Sequence, residues 1–243
     1  MPEIKLLHLY HDLMNLYGEY GNLRILSRHL EDQGFFVTTD RKSVGDALSF
    51  EGYDFIYIGS GTESNQKTAL RHLRDFREAL VAAAESGTVI LLTGNAADMM
   101  GKTVTAGDGT VYEGVGLLDF TAVESATSRI TGDAICKCEW FTKPLVGFIN
   151  KCSSLEGIDY SPFVMQMGEG NKKGDPHDGY RYSNVIATHL TGPVLVKNPH
   201  LTTYFVKLLG IRRDEDFQLR ELSYPNEQNA YEITLTELLQ RMK

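Results

Sequence analysis

Four short apolar runs dominate the first hundred residues: Glu3–Tyr10 (EIKLLHLY), Phe35–Thr39, Tyr53–Ile58 (YDFIYI) and Thr88–Thr93 (TVILLT). Each is too short for a core helix and is apolar on successive residues rather than alternate ones, the pattern of a strand buried on both faces. Helical segments lie between them. Leu23–Gln33 places Leu23, Leu26 and Leu30 on one side and stops at Gly34, and Lys67–Ser86 reads as a single amphipathic helix closed by Gly87. Strands alternating with helices predict an α/β fold: a single open, mostly parallel sheet flanked by helices on both faces. Ligands of such sheets bind at the carboxyl ends of the strands, which here are loops 11–22, 59–66 and 94–98.

The second half is rich in strands. Phe120–Val123, Arg129–Cys138, Leu145–Asn150, Phe163–Gln166 and Asn184–Leu190 are predicted strands, expected to extend the same sheet. Helices are predicted over Pro199–Leu209 and Glu227–Met242. The simplest division is one domain over residues 1–210 and a C-terminal helical extension over 211–243.

Composition excludes several classes. Lys and Arg number 24 against 32 Asp and Glu, a net charge of −8, and the short basic pairs Lys172-Lys173 and Arg212-Arg213 sit beside acids. No basic patch suited to nucleic acid is present. No apolar run reaches the length of a membrane span, and the N-terminal segment is too short and polar for a signal sequence. Three cysteines (Cys136, Cys138 and Cys152) do not make a disulfide framework, and the C-x-C pair lacks a second pair at zinc spacing. The chain is therefore expected to be cytoplasmic, without metal or cofactor.

Three segments could carry chemistry. Gly59-Ser60-Gly61, directly after an apolar strand, can turn backbone N–H groups into a cavity as an oxyanion loop does. Thr93-Gly94-Asn95-Ala96-Ala97 has the strand-to-helix context of a nucleophile elbow, with a residue at its tip that carries no side chain. Thr188–Pro193 (THLTGP) offers His189 and Thr191, two apart and expected to share a strand face.

Several longer motifs, in order, resemble one family. Tyr10–Asn22 (YHDLMNLYGEYGN), Gly59–Glu63 with Gln66 just beyond, Gly114–Asp119 (GVGLLD), Arg129–Asp133 (RITGD), Leu145–Lys151 (LVGFINK) and Thr188–Pro199 (THLTGPVLVKNP) are similar to the cobyric-acid-synthase type of class I glutamine amidotransferase domain. The nearest branch is the glutaminase subunit of lipid II isoglutaminyl synthase. The free-standing length and the absence of a P-loop fit that two-subunit branch better than cobyric acid synthase itself.

The resemblance implies an amidotransferase-like domain over 1–210, docking on a Mur-ligase-like protein subunit. It implies that Arg129, with Asp12 and Asn15 of the first loop, holds glutamine or a related small molecule, the guanidinium receiving a carboxylate. It also exposes two departures. The family's elbow cysteine falls on Gly94, and its catalytic histidine, registered on Gly192-Pro193, falls on Thr191, leaving His189 at the family's tyrosine. Hydrolysis of glutamine through a thioester needs a thiolate and a base, so no catalytic residue is expected. A catalytically silent subunit in lipid II glutamate amidation follows. The alternative is an active glutaminase that uses Thr93, Thr191 or Ser60 with His189 as base.

Overall fold

The computed structural model describes residues 2–242. The chain runs β1 (Glu3–Leu9), α1 (Tyr20–Asp32), β2 (Phe36–Lys42), β3 (Phe55–Ile58), α2 (Glu63–Arg74), α3 (Arg77–Glu85) and β4 (Val89–Thr93), then a 3-10 segment over Gly94–Met100. Short strands follow: β5 (Thr103–Thr105), β6 (Val111–Glu113), β7 (Thr121–Glu124), β8 (Ile130–Cys138), β9 (Leu145–Lys151), β10 (Ser153–Glu156), β11 (Phe163–Met167), β12 (His177–Asp178), β13 (Tyr180–Tyr182) and β14 (Val185–Thr188). Three helices close the chain: α4 (Val194–Lys197), α5 (Pro199–Arg213) and α6 (Pro225–Arg241).

The main sheet has the order β13-β14-β4-β3-β1-β2, and every pairing is parallel except that of β13 with β14. The four apolar runs form its centre and one edge. The later strands do not all extend it. Only β13 and β14 join, while β10-β7-β5-β6 and β12-β11-β8-β9 make two further four-stranded sheets. Each covers one face of the main sheet. Alternate residues of the central strands explain this: Leu7, Ile56, Ile58, Ile90 and Leu92 pack with Val104 and Ala122 of the first small sheet, and Leu6, Phe55, Tyr57 and Leu91 pack with Cys136, Leu145 and Phe163 of the second.

The predicted helix over Lys67–Ser86 is two helices, broken at Asp75-Phe76. Thr62 caps α2, its hydroxyl accepting from the Asn65 N–H at 3.2 Å. The helix α5 runs past residue 210 to Arg213, and the segment beyond packs back on the domain. Phe217 meets Phe35 at 5.2 Å between ring centroids, Tyr224 stacks on His29 at 3.8 Å, and Tyr231 and Leu238 bury against Ile135 and Val146. Among the described residues, no helix is long and apolar enough to cross a membrane.

Candidate functional site at the end of the central strands

At the carboxyl end of β4, Gly94 turns the chain sharply with φ at +58°, a conformation that side-chain-bearing residues adopt only with strain. Because β4 lies between β3 and β14, the loops following those two strands flank this turn. They meet it closely. A Cβ on Gly94 would sit 2.5 Å from Ser60 Cβ and 2.9 Å from Thr191 Cγ2, and would also strike Ser60 Oγ. Residues 60, 94 and 191 therefore converge, and the place of an elbow side chain is already filled. Loop 11–22 closes the same end of the sheet: the Leu16 N–H donates to the Ser60 carbonyl at 2.9 Å. Gly59 approaches the Met14 carbonyl so nearly that a Cβ would lie 2.5 Å from it.

The glycine loop after β3 does have an inward N–H, but the protein satisfies it. Gly61 N–H donates to Asn95 Oδ1 at 3.0 Å, and Asn95 Nδ2 returns a bond to the Gly61 carbonyl at 2.9 Å. Ser60 Oγ adds a third contact to Asn95 Oδ1 at 3.3 Å. Asn95 was not among the residues the sequence singled out. Its only signal was a carboxamide directly after the elbow, in a segment that is otherwise apolar on both sides.

His189 and Thr191 do not share a strand face. The strand β14 stops at Thr188, and the chain bends before Thr191 makes an isolated bridge with Phe148 of β9. Thr191 Oγ1 donates to the Phe148 carbonyl at 2.8 Å. The His189 side chain is wholly buried between two carboxylates, Nδ1 at 2.7 Å from Asp178 Oδ1 and Nε2 at 3.1 Å from Asp98 Oδ1. Asp178 is held in turn by the Thr188 hydroxyl at 2.6 Å and the His189 N–H at 3.0 Å. Lys151 Nζ lies 3.4 Å from His189 Nδ1.

Burial and Lys151 oppose the imidazolium, yet the two aspartates outweigh them and His189 is raised above its ordinary pKa. Asp178 is lowered despite burial, because His189 and Lys151 face it. Both ring nitrogens are engaged by carboxylates, which favours the protonated ring and leaves neither nitrogen free to act as a base. Lys151 is lowered from its ordinary value, because burial disfavours its ammonium against the pull of Asp178 and Asp98.

Arg129 stands at the mouth of a shallow groove of about 380 Å³ that also includes Glu63, Glu124 and Cys152. Its guanidinium reaches Glu63 Oε1 at 2.5 Å and Asn150 Oδ1 at 2.9 Å, and Asn150 Nδ2 donates to the Tyr17 hydroxyl at 2.7 Å. The groove also holds Cys152, the one free cysteine of the three that is only partly buried. Burial, Glu124 and Glu63 push the Cys152 thiol up to about 12, so it stays protonated. Cys136 and Cys138 are buried in β8.

Asp12 and Asn15 sit elsewhere in the first loop. The Asp12 carboxylate accepts from the Ser43 hydroxyl and from the Leu13 N–H, and Asn15 Oδ1 accepts from the Tyr20 N–H at 2.9 Å, at the start of α1. Buried Glu19 from the same loop accepts from Thr93 Oγ1 at 3.0 Å and Asn22 Nδ2 at 3.1 Å, and from the Tyr57 hydroxyl. Burial raises its pKa against those hydrogen bonds. Among the described residues, no group of three or more His, Cys, Asp or Glu side chains is arranged to hold a metal.

An open parallel sheet with a positive-φ turn at the end of a central strand, faced by a glycine loop, defines an α/β protein built around a nucleophile elbow. Within that class, the chain belongs to the family of the CobB/CobQ-like glutamine amidotransferase domain, which its residues 5–199 match. It is similar to the lipid II isoglutaminyl synthase (glutamine-hydrolyzing) subunit GatD of Staphylococcus aureus, with 30% identity over 239 residues covering 97% of this chain and 96% of the relative. The corresponding Streptococcus pneumoniae subunit is 27% identical over 220 residues, covering 89% and 85%. Among solved structures, PurLQS from Thermotoga maritima superposes with a TM-score of 0.53 at 15% identity, covering 79% of this chain and 88% of that one. A glutamine amidotransferase crystal structure superposes with a TM-score of 0.55 at 16% identity, covering 84% and 98%. These two likenesses establish the shared fold.

Proposed function

We propose that this chain is a catalytically silent, amidotransferase-like cytoplasmic subunit that acts with a Mur-ligase-like partner in amidating the glutamate of the cell-wall precursor lipid II. The two relatives named for lipid II isoglutaminyl synthase align along nearly the whole chain and support the pathway. The observation that carries the silence is the filled elbow: Gly94 has no side chain, and Ser60 and Thr191 occupy the space one would need. Without a thiolate at that point, no thioester forms.

The active-glutaminase alternative needs a hydroxyl with a base beside it. Thr93 Oγ1 donates to Glu19, Thr191 Oγ1 bonds the Phe148 carbonyl, Ser60 Oγ bonds Asn95, and His189 has both nitrogens on carboxylates, so none of the three hydroxyls is bonded to His189. In this reading residues 1–210 form the domain, and 211–243 a helical extension that braces it. Arg129, with Asp12 and Asn15 in the neighbouring loop, retains a site for glutamine or a related carboxylate.

The test is reconstitution with the partner. The complex should amidate lipid II when supplied with ammonium salt and not when supplied with glutamine. Glutamine-driven amidation would overturn the silence, and failure to form a complex would overturn the partner.

A further inference from the structure

The face of the main sheet covered by α1 carries a cationic cavity that the elbow does not use. It measures about 260 Å³ and lies over the ends of β1 and β2, lined by His8, Arg24, Ser27, Arg28, Glu31 and Arg41 among others. The register places it: His8 pairs with Arg41 across the parallel β1–β2 ladder, so the two side chains rise from the same face. Over them, Arg24, Ser27, Arg28 and Glu31 follow helical spacing along one side of α1.

Three features set this cavity apart from ordinary solvated charge. Arg24 and Arg41 have no carboxylate within ion-pair distance among the described residues, while Arg28 has only Asp32 at 3.9 Å. Three guanidiniums against Glu31 and the Asp32 that pairs with Arg28 leave a local excess of one positive charge on a chain of net charge −8. Finally, His8 is 97% buried by its 3% exposure, and its Nε2 has no hydrogen-bond partner. A buried polar atom left unsatisfied is a cost that a folded protein rarely retains without a use.

We propose that this cavity binds a phosphate-class oxyanion, with Arg24 and Arg41 as its principal donors and His8 at its floor. Arg24 and Arg41 are the two guanidiniums without a carboxylate partner, and guanidiniums suit tetrahedral oxyanions through paired N–H donors. Burial, His11 and Arg41 lower the His8 pKa to about 4, so the ring adds no positive charge at the cavity floor. The site does not depend on whether residue 94 is catalytic.

Calorimetric titration of the full chain with inorganic phosphate tests this. Saturable binding at one site is expected, weakened about tenfold by Arg24→Ala and again by Arg41→Ala, the loss of one charge-assisted contact each. Glu31→Gln should tighten it. Both arginines are exposed, so neither variant threatens the fold. Arg212→Ala, a cation outside the cavity, should leave binding unchanged. Vesicles of phosphatidylcholine doped with phosphatidic acid form a second arm: recruitment that requires Arg24 and Arg41 assigns a lipid headgroup, and its absence alongside phosphate binding assigns a soluble phosphate compound. No saturable binding in either arm, or equal weakening by Arg212→Ala, would overturn the proposal.

Discussion

Ser60 stands in the space that a side chain at residue 94 would occupy: its Cβ lies 2.5 Å from where a Gly94 Cβ would project. The two residues belong to loops after neighbouring strands, β3 and β4, so their conflict is built into the sheet order. Gly94→Cys alone should destabilise the protein through two separate effects. Left-handed backbone costs about 1–3 kcal/mol for a residue with a side chain. Overpacking against Ser60 and Thr191 adds about 1–3 kcal/mol. Ser60→Gly should recover the Ser60 share of the second part, leaving the contact with Thr191 and the backbone cost. A double-mutant cycle by urea unfolding reads the coupling, and strict additivity of the two substitutions would contradict the steric account.

The buried His189 pair predicts a pH dependence with a definite sign. His189 is raised in the fold, so its contribution to stability is fully present below the unfolded pKa of about 6.5 and is lost as pH rises through the higher folded value. Asp178 is lowered, so its contribution is present above the unfolded value of about 3.9 and is lost as pH falls through the folded one. Unfolding measured across this range should show stability declining on the alkaline side in the wild type, with a flatter profile in His189→Gln. Asp178→Ala should cost about 3–5 kcal/mol, since it strands a buried imidazolium. A wild-type profile no steeper than that of His189→Gln would count against the charged histidine.

Much of this arrangement could be read from sequence, and the remainder has identifiable physical reasons for being hidden. Continuous apolar runs such as Ile56–Ile58 and Val89–Leu92 announce strands buried on both faces, and they do form the parallel centre. The helix break at Asp75-Phe76 is invisible because apolar spacing continues through Phe76 and Leu80 on the same core face. The short strands of the second half have sequences suited to pairing, yet which sheet they join depends on partners far along the chain. Gly94 and Thr191 were legible as departures at known motif positions. The role of His189 was not, because its bend after Thr188 and its carboxylates, 91 and 11 residues away, are set by tertiary contacts.

Arg129 and Glu63 form an ion pair at 2.5 Å with about two-fifths of each side chain exposed, 42% and 38%. Such pairs contribute little to stability, so Arg129→Ala should cost no more than about 1 kcal/mol. Its effect should fall instead on binding of glutamine or glutamate, which calorimetry measures. Full loss of folding in Arg129→Ala would show that the arginine is a structural strut rather than a ligand contact.

Restoring chemistry should require all three positions that changed the elbow. Ser60→Gly makes room, Gly94→Cys supplies the thiol, and Thr191→His supplies the base that lowers its pKa from about 8.5. The triple variant should form glutamate from glutamine, while each single variant stays near background because the parts act as a unit. Activity in Gly94→Cys alone would mean that a base already faces the elbow.

The most direct measurement is glutamate formation from glutamine by the wild-type protein. With Gly94 at the elbow, Asn95 on the Gly61 amide and His189 locked between Asp98 and Asp178, no turnover above buffer is predicted, with or without the proposed ligase partner. Robust turnover by the wild type, lost in His189→Asn, would contradict the account.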